Sequence, residues 1–291
     1  MRHPLGWVED VYRPCVGELS ALVALRVGRA SQGGPPALTE ASAATLPKIA
    51  RSHSMTHAMA DNETILRHPP AHEVKLEVNF PNNLAVADGR SRFYNLVRGE
   101  FPTVIIPEQG KMQFDFGDYA LYTENLSLRL EVGMSYFRAV STGYPGFTKF
   151  RDSFSNALQL FIGCYDLKTF NNFALTYVNK LQLEPEHRLF EDIFRLEVKI
   201  PEDLGHNLFA GKGLLVFQKP EGYMTVQFDP EAGAGGVGSY SLTLFFVSFP
   251  GAPINAEKGP IESLANVAHG YLSKFFFGIL TEKYLAFLRA K

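Results

Sequence analysis

A chain of 291 residues, 46% hydrophobic and 20% charged, has the composition of a globular protein with ample material for a core. Its formal net charge of −2 comes from interspersed acids and bases, without the block of Lys or Arg that phosphate-backbone binding needs, which argues against a nucleic-acid partner. No apolar run reaches the ~18 residues of a membrane span, and two isolated cysteines, Cys15 and Cys164, make neither a disulfide framework nor a zinc site, so a reducing, cytoplasmic compartment is expected.

The apolar segment "SALVALRVG", residues 20–28, is short, carries Arg26 and lacks a signal-peptide layout. Residues 30–60 are rich in Ala, Ser, Pro and Gly and show no sustained period. Residues 1–60 are therefore expected to be an unstructured or over-read N-terminal extension, with translation starting at Met55 or Met59; a targeting or docking extension is the functional alternative. This stretch holds six bases and four acids, so the remainder has 22 bases and 26 acids, a net of −4.

Patterned sequence begins at His68. "HEVKLEVNFP" (72–81) alternates Val74, Leu76, Val78 and Phe80 against Glu73, Lys75, Glu77 and Asn79, which predicts a half-buried strand ended by Pro81. "SRFYNLVRGEF" predicts a short helix. Strands are predicted at "TVIIP", "MQFDFGDYALYT", "LSLRLEVG" and "SYFRAVST". In "PGFTKFRDSFSNALQLFIGCY" (145–165), Phe147, Phe150, Phe154, Leu158 and Phe161 recur at helical spacing, with Pro145 suited to the start. Cys164, at its end, reads as a small buried thiol.

The second half starts with "FALTYVNKLQL" (173–183). Asn179 interrupts its apolar row of Phe173, Leu175, Tyr177, Leu181 and Leu183, and a buried amide there requires partners. "HRLFEDIF" predicts a short helix, and strands follow at "LEVKIP", "KGLLVFQKP", "YMTVQFD" and "SYSLTLFFVSF". A long closing helix is predicted from "PIESLANVAHGYLSKFFFGILTEKYLAFL", its buried stripe formed by Leu264, Val267, Tyr271, Leu272, Phe275, Ile279 and Leu280. The order β-α-β-β-β-β-α thus occurs twice. The expected fold class is α+β: two related β-α-β4-α units, residues 65–168 and 169–291, each with an antiparallel sheet covered by its long helix, packed together as one globular body. The alternative is a helix-grip fold, whose sheet wraps the C-terminal helix and leaves a cavity.

Several tempting motifs fail on physical grounds. "GAGGVG" (233–238) matches a dinucleotide fingerprint in letters, but a strand follows it, so no helix N-terminus can receive a pyrophosphate. His68 and His72 have a metal-ligand spacing that works on a helix, which Pro69 and Pro70 forbid. Asp115 and Asp118 suit hairpin turn chemistry better than a carboxylate dyad. There is no P-loop, zinc-protease motif or nucleophile elbow. No catalytic residue, cofactor or metal is therefore predicted.

Three stretches carry a family resemblance. "HPPAHEVKLEVNFP", through Pro69, Pro70 and Glu73, resembles the opening motif of a sporadically distributed, uncharacterised prokaryotic protein family. "LTYVNKLQL", through Tyr177, Val178 and Asn179, is similar to that family's mid-chain strand, although an Arg usually stands where this chain has Leu175 or Thr176. "LANVAHGYLSKFFFGILTEKY", through His269, Phe276 and Thr281, is similar to its closing helix. The resemblance covers about residues 65–290 and implies a fold unit without an activity to carry over. Together with the missing catalytic constellation it favours a non-catalytic binding or interaction module with an unknown protein partner, of a kind encoded beside prokaryotic defence or toxin–antitoxin genes. A small apolar ligand or lipid held in a helix-grip cavity is the rival. Glu73, Asn179 and His269 are the candidate residues of a polar site at the junction of the halves, and a structural tie by Asn179 is the simpler account of its amide.

Overall fold

The computed structural model describes residue 66 and residues 69–106, 118–183, 189–196, 212–233 and 236–290. The expected N-terminal extension lies outside them, as does most of the strand expected at "LEVKIP".

Strand β1 (Ala71–Asn79) fully buries Val74, Leu76 and Val78 and leaves the alternate residues partly exposed, the period-two pattern of a strand with one covered face. Two short helices follow, α1 (Leu84–Asp88) and α2 (Arg90–Val97); Asn83 caps the first by accepting the Ala85 amide at 3.0 Å. Strands β2 (Thr103–Ile105), β3 (Tyr119–Tyr122), β4 (Leu128–Val132) and β5 (Tyr136–Ser141) form an antiparallel meander. Helix α3 (Phe147–Tyr165) then buries the predicted row of Phe147, Phe150, Phe154, Leu158 and Phe161. Its start uses Gly146 at φ 95, a left-handed conformation in which a side chain would be strained.

The chain continues through β6 (Thr169–Phe170), β7 (Asn172–Gln182), α4 (Phe190–Ile193), β8 (Gly213–Lys219), β9 (Gly222–Gly233), β10 (Gly236–Ser248) and β11 (Ile254–Asn255) to helices α5 (Lys258–Ile279) and α6 (Glu282–Ala290). Gly233 pairs with Gly236 across the β9–β10 hairpin, so the glycine-rich stretch leads into a strand and meets no helix.

The expected pair of helix-covered sheets is not what forms. Among the described residues, nine strands make one antiparallel sheet in the order β2-β3-β4-β5-β1-β7-β10-β9-β8. The strands that open the two expected units pair with each other: Val74 lies opposite Tyr177, Leu76 opposite Leu175 and Val78 opposite Phe173. The physical reason is edge protection. β1 and β7 are long and apolar on one face, and either one left at an edge would offer a template for aggregation. Periodicity reports an element's type and its buried face, but not its neighbour.

Both long helices lie on one face of this sheet, here called inner. They run antiparallel: Lys258 reaches Asn156 at 3.1 Å, Arg151 reaches Asn266 at 2.7 Å, and the His269 ring stacks on Phe147 at 3.9 Å. The Phe161 ring anchors α3, lying 4.6 Å from Phe137, 5.2 Å from Phe93 and 5.7 Å from Phe80. The helix-grip alternative also fails. Tyr177, Leu244 and Phe246 of the sheet join Ala265, Ala268 and Leu272 of α5 in one continuous buried core.

The stripe of α5 differs from the predicted one. Its buried row is Ile261, Ala265, Ala268, Leu272, Phe276 and Ile279, whereas Leu264, Tyr271 and Phe275 are only partly buried. Small side chains at 265 and 268 leave room for close packing, so the bulkiest residues flank the contact. The closing helix is also broken. Leu280 is extended and bridges Phe194, the Thr281 amide donates to the Ile193 carbonyl at 2.8 Å, and the Thr281 hydroxyl caps α6 by accepting the Tyr284 amide at 3.1 Å.

Candidate functional site

The structure separates the three residues proposed for the junction. Asn179 is 4% exposed on the inner face of β7, and its Nδ2 donates to the Leu242 carbonyl of β10 at 3.1 Å. It lies opposite Ala71, where β1 is bulged between Ala71 and Glu73. His269, on α5, shares a hydrogen bond of 2.9 Å between its Nδ1 and the Tyr177 hydroxyl, which in turn lies 3.2 Å from the Tyr144 hydroxyl. Tyr177 is two residues from Asn179 on the same face of β7, so Asn179 and His269 belong to one neighbourhood. Glu73 does not. It lies on the outer face, where it meets Lys75 at 2.8 Å and Arg129 at 3.4 Å.

Glu73 is instead the start of a continuous ladder of charge. Arg129 holds Glu131 at 2.6 Å, Arg138 holds Glu131 at 2.8 Å and Glu77 at 2.5 Å, and Asn79 donates to both Glu77 and Asn172 at 2.8 Å. The register builds this array: Glu131, Arg138 and Glu77 stand side by side on β4, β5 and β1. The ladder's three bases and three acids cancel. Burial alone would raise the Glu131 carboxyl, but hydrogen bonds and charge from Arg129 and Arg138 hold it below the usual carboxylate range. Burial likewise disfavours the Arg138 cation, and Glu77 and Glu131 overcome that and push its pKa up. The guanidinium also sits 5.0 Å above the Tyr136 ring.

Beyond β1 the middle of the outer face is uncharged, and charge returns only toward the far ends of the strands, where Lys180 meets Glu231 at 2.9 Å and Lys212 meets Asp229 at 2.8 Å. Register carries Lys75 to Thr176, Phe245, Thr225 and Val216 across four further strands. Leu214 and Val216, on the edge strand β8, are 52% and 51% exposed. The ring contacts of α2, α3, α4 and α5 with the sheet, by contrast, all involve inner-face residues: Phe137, Tyr177, Phe217, Phe228, Tyr240 and Phe246. The sequence did show the ladder's components as alternating Glu and Lys in β1 and alternating Arg and Glu in β4. It could not show that these strands share a face.

A cleft of about 580 Å³ opens between the β3–β4 turn and the first turns of α3, with Ser127, Leu128, Ser141, Lys149, Phe150 and Ser153 among its walls. Among the described residues, no three His, Cys, Asp or Glu side chains come together as a metal site, and no helix is long and apolar enough to cross a membrane. Cys164 is half-buried beside Leu160 and Gly163 in a second, shallower depression. No family model matches the chain, and no curated protein matches it.

Proposed function

We propose that the chain is a non-catalytic binding module that meets a protein partner through the outer face of its sheet. The observation that supports this most is the contrast between the two faces. The inner face is covered by helices, and its side chains form a continuous apolar core with α5. The outer face joins a rigid ladder of zero net charge to a row of Thr, Val and Phe ending at the exposed Leu214 and Val216. A neutral, shape-fixed surface of mixed polar and apolar character is the composition of protein interfaces, and it offers nothing to a polyanion. The likeness to a prokaryotic family without known chemistry is compatible with this reading, and so is a place beside defence or toxin–antitoxin genes. Two isolated cysteines are compatible with a reducing cytoplasm.

Native mass spectrometry of the purified full chain tests the proposal. The expected result is a co-purifying protein that is lost in Val216→Glu and in Lys75→Glu while circular dichroism and the thermal midpoint stay unchanged. A partner retained by both variants would refute the outer face as the contact. A bound small apolar molecule in place of a protein would return the helix-bound ligand reading.

A further inference from the structure

The two ends of the sheet differ. Among the described residues its outermost strands are β2 and β8. β2 is three residues long, a length that itself discourages further pairing. β8 is seven residues long and pairs with β9 without a bulge from Gly213 to Lys219. It also lacks the other devices that blunt an edge, since residues 213–218 include no proline and no charge. On the side away from β9 its backbone has no partner strand among the described residues. Leu214 and Val216 stand on the outer face, 52% and 51% exposed. Leu215 and Phe217 stand on the inner face and are only partly buried, with the Phe217 ring 5.4 Å from that of Phe275 on α5. A strand that completes this edge must therefore carry apolar side chains on both faces and no charge in its middle.

β8 itself meets those requirements. We infer that two copies of the chain join edge to edge, β8 against β8, antiparallel about a two-fold axis through Val216, so that two sheets become one. The contact is isologous, the same strand serving on both sides. It sets Val216 opposite Val216 and Leu214 opposite Gln218 on the outer face, and Leu215 opposite Phe217, an aliphatic–aromatic pair, on the inner. The bases at the strand's ends are already engaged within each copy: Lys212 meets Asp229 at 2.8 Å, and Lys219 lies over the rings of Phe217 and Tyr271 at 5.7 and 5.2 Å. A contact one strand long belongs with the smaller interfaces, so the dimer is reversible, with micromolar affinity. It is separate from the outer-face contact, since Lys75 lies four strands away on β1.

Sedimentation velocity of the full chain, over a concentration series from micromolar to submillimolar, tests this. The wild type should pass from monomer to dimer across the series. Val216→Lys and Val216→Glu, each alone, should weaken the dimer at least about tenfold, because the axis sets two like charges face to face. An equimolar mixture of the two variants should form the dimer again, because the charges are then opposite. Lys75→Glu should dimerise as the wild type does, so loss of the outer-face partner and loss of the dimer are read separately. A wild type that stays monomeric overturns the inference; β8 amides protected from exchange in that monomer would give the edge to another segment of the same chain. A dimer that survives in both single variants, or a mixture that stays monomeric, overturns it as well.

Discussion

Arg138→Met removes the central rung of the outer-face ladder while keeping most of the side chain's apolar length. The guanidinium makes two charge-assisted hydrogen bonds, to Glu77 at 2.5 Å and Glu131 at 2.8 Å, with its side chain 25% exposed and those of the carboxylates 13% and 21% exposed. At this partial exposure each pair contributes up to about 1 kcal/mol, and the cation over Tyr136 adds about 0.5–1 kcal/mol. The expected loss at pH 7 is therefore about 2–3 kcal/mol, toward the upper end because two partly buried carboxylates, on the strands either side of β5, lose the cation between them. The folded-state pKa of Glu131 is depressed, so its contribution is present above the unfolded carboxylate value near 4 and disappears as pH falls through the depressed value. At pH 3 the cost of Arg138→Met should accordingly shrink. Urea unfolding of wild type and variant at both pH values measures this, with the slope m checked for constancy. Equal costs at pH 7 and pH 3 would mean that the ladder's charges contribute no stability, and a cost under about 0.5 kcal/mol at pH 7 would reduce the array to a surface decoration.

Other substitutions test other parts of the structure. Phe161→Ala should cost about 3–5 kcal/mol in urea unfolding, since the ring is fully buried among Phe80, Phe93 and Phe137; a loss below 1.5 kcal/mol would mean that α3 repacks. Asn179→Leu should lower stability by about 1–3 kcal/mol by leaving the Leu242 carbonyl without its side-chain donor, and an unchanged midpoint combined with lost binding would make this neighbourhood functional. Gly222→Ala should lower the thermal midpoint by several degrees, because a Cβ there would stand 2.0 Å from the Val247 carbonyl oxygen; a wild-type midpoint would show that the β8–β9 turn yields freely.

What could be read from the sequence was element type and buried face. Val74, Leu76 and Val78, the Phe row of α3, and Leu175 and Tyr177 all announced themselves by spacing, because spacing is set by each element's own geometry. The closing helix misled because a run of large apolar residues drew the stripe toward Leu264, Tyr271 and Phe275, while Ala265 and Ala268 take the close contact. Gly278 stands two residues before the break at Leu280, but it is itself helical; the break has a tertiary cause, in the bonds that tie Ile279 and Thr281 to Arg195 and Ile193.

The fate of the proposed junction site follows from parity once the sheet is known to be single. Within β1, Glu73 alternates with the buried Val74; within β7, Asn179 alternates with the half-exposed Val178. The apolar rows of both strands point to the same side, since one helix layer covers both. Asn179 stands in its apolar row and Glu73 stands out of its own, so the two must point through opposite faces, whatever their distance along the strands. The bulge between Ala71 and Glu73 absorbs one residue and restores this phase: Glu73 meets Val178, not Asn179. The same parity brings Glu73 into line with Glu77, Arg129, Glu131 and Arg138, five polar side chains from three strands that the sequence scatters over 66 positions, from 73 to 138. Asn179 reaches the Leu242 carbonyl of β10, and Glu73 reaches Lys75 and Arg129, through the hydrogen-bond register of a shared sheet, which no single strand encodes.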